Sequence, residues 1–282
     1  MKNNNYKYIA KINMKDDSSS FVKILKRIPA KSKVLEFGPA YGYMTRYMTE
    51  ELLCDVTCVE IDPDAAEETK KYCNNMIIAD IEKLDFGQVF ENLTFDIITF
   101  GDVLEHLYNP GKVIKNCYNI LKDNGKVLVS IPNITHISVI SNLIMGRFEY
   151  SNSGILDNTH IRFFSRESIL QLFTNNYYYA IIADRVKSTE FNPIHKDLKF
   201  DLLPVLNKMN PEYETYQFII EAKKINSLLV KEIKQLKETL LQKQREIESY
   251  ESKFSRFNLV TKVLFKPQKA FDRLVNKFKN TK

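Results

Sequence analysis

Residues 33–42 read Lys-Val-Leu-Glu-Phe-Gly-Pro-Ala-Tyr-Gly and carry the densest chemical signal in the chain. An apolar run ends in an acid, Glu36, and passes through Gly38, Ala40 and Gly42 into the helix-like stretch Tyr43–Met48. Strand, glycine turn and helix in that order bring backbone close to a nucleotide-like ligand. A dinucleotide-binding turn would place glycines at 38, 40 and 43, and only Gly38 is present. A strand–helix turn of any doubly wound protein is the plainer alternative. Acids then recur down the chain. Val56–Val59 ends in Glu60-Ile61-Asp62, Met76–Ala79 in Asp80-Ile81, and Phe95–Phe100 in Gly101-Asp102. In parallel sheets the ligand crevice lies off the carboxyl ends of the strands, and an acid closing the second strand is placed to accept from ribose hydroxyls. One such acid is commonly a helix N-cap. A glycine turn or an acid after each of four successive strands, all on one sheet edge, points to a cofactor crevice.

The acidic-x-Gly-x-Gly-x-Gly spacing of 36–42, with Ala40 for the middle glycine, resembles class I S-adenosylmethionine-dependent methyltransferases. The resemblance runs over residues 17–224, to one subset in particular. That subset carries a Leu-Glu-His-Leu turn after strand four, here Leu104–Leu107, and a block ending Thr-His-x-Arg-Phe-Phe, here within Gly154–Phe164. It is frequent in bacterial surface-polysaccharide pathways of the O-antigen or capsule type. The resemblance implies an α/β, doubly wound, mostly parallel seven-stranded sheet and S-adenosyl-L-methionine as cofactor. It implies cofactor contacts from Glu36 (to the ammonium), Gly38, Ala40, Gly42, Glu60 and Ile61 (ribose), Asp80 and Ile81 (adenine), and Gly101 and Asp102. It also implies O-methylation of a sugar or phosphosugar in surface-glycan biosynthesis, the alternatives being another small-molecule acceptor, such as a quinone or lipid precursor, and a non-catalytic cofactor-binding scaffold.

Methyl transfer is an in-line displacement, so proximity and alignment dominate. A hydroxyl acceptor also gains from a base that titrates near neutrality, which histidine supplies. Of four histidines, His160 with Asp157 as its orienter is the leading candidate and His106 the second. His136 begins a helix pattern, and His195 lies in a polar connection. The alternatives are structural: His106 capping the helix before Pro110, and Asp157 pairing with Arg162 to hold the insertion. Tyr150 and Arg162 are candidate acceptor contacts, the latter for a phosphate or carboxylate. No His/Asp/Glu group has ligand spacing along the sequence, so no metal is expected.

These residues need elements to hold them. Residues 1–32 lead in, with Asp16–Ser20 as a capping cluster before the helix pattern Phe21–Ile28, a helix that either covers part of the cofactor or packs on the sheet edge. Residues 33–132 supply five βα-type elements, ending in a helix over 111–121, an Asp-Asn-Gly turn and a strand over 126–131. Residues 133–224 hold an insertion, a helix near 166–173 and two strands, 177–183 and 216–220, that fit an antiparallel closing pair. The methyltransferase domain is thus expected over 33–224.

From 225 to 255 the pattern changes to a heptad seam of Leu229, Ile233, Leu236, Leu240, Ile247, Tyr250 and Phe254, with Lys243 in one seam place. It predicts a coiled-coil helix for self-association or a partner protein, a single helix folded back on the domain being the alternative. Residues 256–282 interleave aromatic and basic side chains, which suits an anionic membrane surface; a partner-binding or disordered tail is the alternative.

The net charge of +6 is concentrated at the end of the chain. Residues 253–282 hold nine Lys or Arg against one acid, leaving 32 basic and 34 acidic residues before them. The remainder is therefore no nucleic-acid binder by charge. Four cysteines without metal or CxxC spacing suit reduced thiols in the cytoplasm, and no apolar run is long enough to span a bilayer. No signal-peptide pattern opens the chain. A peripheral position at the inner face of the cell membrane follows from the tail.

Overall fold

The computed structural model describes residues 12–188 and 196–225, and beyond them 229, 235, 236, 238–250 and 252. The chain divides into two units, Met1–Ile225 and Asn226–Lys282. The first is built on one seven-stranded sheet in the order β3-β2-β1-β4-β5-β7-β6. Its strands are β1 Lys33–Phe37, β2 Asp55–Glu60, β3 Asn75–Ile78, β4 Phe95–Gly101, β5 Leu121–Pro132, β6 Tyr178–Lys187 and β7 Thr215–Lys224. Neighbours from β3 to β5 run parallel, and β7 lies antiparallel between β5 and β6.

The apolar strand runs follow from burial on both faces. Along β1, Leu35 and Phe37 enter the core on one side with Phe100, Ile98 and Val129, while Val34 enters the other with Val56, Ile97 and Leu128. Alternate side chains thus feed two cores, as the strand period of two requires. The helices α1 Ser20–Leu25, α2 Tyr43–Glu50, α3 Pro63–Thr69, α4 Phe86–Val89, α5 Pro110–Ile120, α6 Ile137–Ile144, α7 Arg166–Asn175 and α8 Lys196–Met209 complete the unit. Side-chain caps fix several starts: Ser19 for α1, Asp62 for α3, Asn109 for α5 and Ser165 for α7.

The helix α1 packs across β5, β7 and the edge strand β6: Ile24 and Leu25 lie in the core with Leu128 and Ile219, and Lys23 and Arg27 pair with Asp184 of β6. The helix α8, with Pro204 inside it, has a polar start that carries no helix signal, and the sequence pattern does not predict it. Seam residues Leu229, Leu236, Leu240, Ile247 and Tyr250 are exposed and helical, while Ile233, Phe254 and the basic tail from 253 onward lie outside the described residues, as does His195. No described helix is long and apolar enough to cross a membrane.

Candidate functional site

A cavity of about 330 Å³ opens off the carboxyl ends of β1 to β4, lined among others by Gly38, Glu60, Asp80, Asp102, His106 and Tyr108. The turn after β1 is shaped by backbone in the left-handed region. Gly38 has φ 65°, and a Cβ there would stand 2.6 Å from Val103 Cγ2. Ala40 also takes a positive φ, 49°, and is held from both sides. Its N–H donates to Glu60 Oε2 at 2.9 Å, and its carbonyl accepts from the Thr69 hydroxyl. The carboxylate of Glu60 is pinned further by the N–H groups of Ile61 and Asp62, both on Oε1. Asp80 accepts from Glu82 N–H and pairs with Lys83 at 2.9 Å. Ile61 and Ile81 add apolar wall.

Asp102 sits at φ 55° beyond β4, where its Oδ1 accepts from Ser130 Oγ at 2.7 Å and both oxygens lie 3.0 Å from Gln217 Nε2. Enclosure pushes its carboxyl above the usual range, against those hydrogen bonds.

Glu36 does not reach the cavity. It is buried beneath α2, with Oε2 accepting from Thr45 Oγ1 at 2.6 Å and lying 3.8 Å from Cys58 Sγ. Burial raises its pKa to about 7. A strand residue one position before the tip faces the core side, so its acid braces the turn from below. Ala40 and Gly42 shape the turn without lining the cavity, and Gly101 faces Phe21 and Met44 instead.

Beside this cavity two distant segments are stitched together by backbone. The carbonyl of Glu105 accepts from the N–H groups of both Ile161 and Arg162 at 3.0 Å. His106 Nδ1 lies 3.2 Å from the Thr159 carbonyl. Arg162 donates from Nε and Nη2 to the Tyr108 carbonyl at 3.2 and 2.6 Å. The Leu104–Leu107 turn and the 157–164 block are therefore one structural unit. It sets the imidazoles of His106 and His160 edge to face, with ring centroids 4.8 Å apart.

Two expectations fail here. His160 Nδ1 bonds the Ile155 carbonyl at 3.0 Å, so Asp157 does not orient it. Asp157 instead accepts from the Thr159 backbone and hydroxyl, and forms no pair with Arg162. Neither structural alternative holds, since Asn109 caps α5 in place of His106. A carbonyl oxygen only accepts, so Nδ1 of each neutral ring carries the proton and each Nε2 keeps its lone pair. Burial and the neighbouring His160 depress the pKa of His106, favouring that neutral form. Tyr150 is exposed, edge-on to Phe148, whose ring meets Phe163 of the same block.

Residues 13–180 match a family described as a methyltransferase domain. The chain belongs to that family. Its domain is that of an S-adenosylmethionine-dependent methyltransferase. Over 112 residues it is 30% identical to a sarcosine/dimethylglycine N-methyltransferase from Aphanothece halophytica, covering 38% of this chain and 40% of that protein. Over 110 residues it is 32% identical to a ubiquinone biosynthesis O-methyltransferase from Glaesserella parasuis, covering 36% and 46%. The chain thus spans less than half the length of these curated relatives. A solved S-adenosylmethionine-dependent methyltransferase from Archaeoglobus fulgidus shares the fold at 16% identity and TM-score 0.52, over 75% of this chain and 95% of that one.

The methyltransferase cavity suits its cofactor. Glu60 Oε2 takes one backbone N–H among the described residues, which leaves acceptor capacity toward a ribose. Asp102 and Glu60 give the strand tips the negative potential that a sulfonium favours, and the exposed Ile61 offers apolar surface to a base.

Sequence reasoning missed Glu105. It is 1% exposed, and neither carboxylate oxygen has a hydrogen-bond partner among the described residues. Its place inside the Leu-Glu-His-Leu turn was the available signal.

Proposed function

We propose that the protein transfers the methyl group of S-adenosylmethionine to a hydroxyl of a small molecule, a sugar or phosphosugar of surface-glycan assembly being the leading acceptor. The observation that carries the reading is the pair of bare Nε2 atoms of His106 and His160 beside the cofactor cavity. S-adenosylmethionine supplies an electrophilic methyl on a positively charged sulfur. The protein's own task is to align an oxygen with it and remove that oxygen's proton. His160 Nε2 is the acceptor for that proton, held on a fixed axis by its bond to Ile155. His106 lines the cavity itself and is the second candidate. Tyr150, on the exposed aromatic rim with Phe148, offers a flat surface on which a sugar ring packs. Arg162 keeps Nη1 for an acceptor phosphate after committing Nε and Nη2 to Tyr108.

A second reading takes a hydroxylated aromatic ring, such as a quinone precursor, as acceptor. It is supported by the similarity to ubiquinone O-methyltransferases and by the exposed apolar side chains Phe148, Tyr108 and Ile161. Incubation of the full chain with methyl-labelled cofactor and either cell-envelope glycan or a catechol-type ring separates the two. Label in the glycan alone supports the first reading, label in the ring alone the second, and label in neither overturns both. In this proposal the heptad-patterned segment 225–255 mediates self-association or partner binding. The tail over 256–282 keeps the enzyme at the inner membrane face, and sedimentation of a form lacking 253–282 with anionic vesicles as efficient as that of the full chain would remove that part.

A further inference from the structure

A buried carboxylate with no partner demands an explanation, because removing an unpaired charge from water costs several kcal/mol. Glu105 is that group, and its surroundings are specific. Its Oε1 lies 4.0 Å from His160 Nε2. The ligand atoms of Glu105, His106 and His160 all lie within 4.8 Å of one another. Protonation would neutralise Glu105, and burial together with the nearby Asp102 does push its carboxyl well above the ordinary range. A neutral acid stands 4.0 Å from His160 Nε2, too far for its O–H to donate there, and its carbonyl oxygen has no donor, so protonation removes the charge and not the vacancy.

The two imidazoles are prepared for the same partner. Each commits Nδ1–H to a backbone carbonyl, of Thr159 for His106 and of Ile155 for His160. That outer hydrogen bond fixes the tautomer with a bare Nε2 and is the usual support of a metal-bound histidine. Asp102 adds negative potential nearby, yet its oxygens are already engaged by Ser130 and Gln217.

We infer that Glu105, His106 and His160 form a binding site for one divalent transition-metal ion, with Zn²⁺ or Fe²⁺ preferred over Mg²⁺ or Ca²⁺. Two imidazole nitrogens and one carboxylate form a borderline donor set, whereas Mg²⁺ and Ca²⁺ select oxygen ligands. Around one such ion, with bonds of about 2.0–2.2 Å, ligand atoms stand roughly 3.0–3.6 Å apart. The Glu105–His160 pair needs only a small contraction from 4.0 Å, and His106, exposed beside it, has its ligand atom within 4.8 Å of both. Three protein ligands leave a coordination position open. If the O-methyl reading above is right, that position takes the acceptor hydroxyl, whose proton the ion makes acidic enough to pass to water, and His160 Nε2 then serves as a ligand and not as the proton acceptor. Ion binding itself does not depend on that reading.

The experiment is titration of the full, tag-free chain, stripped with chelator, with Co²⁺ as a coloured stand-in and with Zn²⁺ and Mg²⁺ by calorimetry. One equivalent of Co²⁺ with ligand-field bands of nitrogen and oxygen donors is expected, and Zn²⁺ is expected to bind at least 100-fold more tightly than Mg²⁺. Both Glu105→Gln and His160→Ala are expected to weaken Zn²⁺ at least 100-fold, and His106→Ala at least 10-fold. His106 is exposed, so His106→Ala reports even if a buried variant fails to fold. Absence of saturable binding, or full affinity in His106→Ala and in either folded buried variant, overturns the site. Binding without any methyl transfer would leave the site standing and remove the O-methyl reading instead.

Discussion

The strand tips and the paired-histidine unit meet at one cavity, but they are built by opposite rules. The tips are local: each acid stands within a few residues of the strand that positions it, and Glu60 and Asp80 are oriented by N–H groups of their own turns. The histidine unit is assembled across the chain, with the Glu105 carbonyl receiving Ile161 and Arg162, and the rings anchored on carbonyls of the inserted block. One region inherits its geometry from the sheet, and the other has to be docked. Damage to the first should therefore act on cofactor binding and stability, and damage to the second on turnover.

The largest effect tests the docked half. His160→Ala should lower turnover by about 10²–10⁴-fold, the span expected for a lost proton acceptor or an equally direct role. Calorimetric affinity for S-adenosylhomocysteine should stay within about twofold. A matching fall in cofactor affinity would erase the division between the two regions.

Gly38→Ala tests the local half. A left-handed alanine costs about 1–2 kcal/mol, and its Cβ, 2.6 Å from Val103 Cγ2, adds roughly 1–3 kcal/mol of overpacking. Denaturant melts should show that loss together with weakened cofactor binding. The double variant Gly38→Ala, Val103→Ala should recover the steric part alone.

Glu36 gives the tips a pH signature. Its folded pKa of about 7 lies above the ordinary 4.5, so the folded protein keeps a proton that the unfolded chain releases in that window. Stability should therefore be full below about pH 4.5 as far as this group is concerned. It should fall as pH rises to 7, by up to roughly 3 kcal/mol. Urea denaturation of cofactor-free protein at pH 5 and pH 8 measures the slope, and Glu36→Gln should flatten it. An unchanged slope in that variant would assign the effect to another group.

The smallest expected effect is at Ala40. Ala40→Gly relieves a φ of 49° but loosens the unfolded chain, so the two contributions nearly cancel to within about 1 kcal/mol. Thermal melting should barely move, and a loss above 2 kcal/mol would mean that the methyl group has a packing role.

The same contrast explains what could be read from the sequence. Apolar runs with periodic acids marked β1 to β4, and the cavity opens where their ends predicted, because strand period and parallel topology leave few other arrangements. Glu36 was misplaced because a tip acid and one facing inward beneath a helix look alike in a motif. Nearness in sequence points to Asp157 as the orienter of His160, but a backbone carbonyl five residues away holds the ring. Glu105 went unremarked, and the cluster with His106 and His160 could not be found by spacing, since its third member comes from a distant insertion. The helix α8 lacked a start signal, and its position in the fold depends on packing that no local pattern records.

Gln217 lies on β7, the last strand of the sheet to be synthesised, and its amide holds the carboxylate of Asp102 at the end of β4. A ribosome delivers every other named cavity side chain before that amide exists. Until then the hydroxyl of Ser130 on β5 is what holds the Asp102 carboxylate. A fragment cut at residue 180, where the family match ends, would keep the signature motifs and lose the Gln217 clasp.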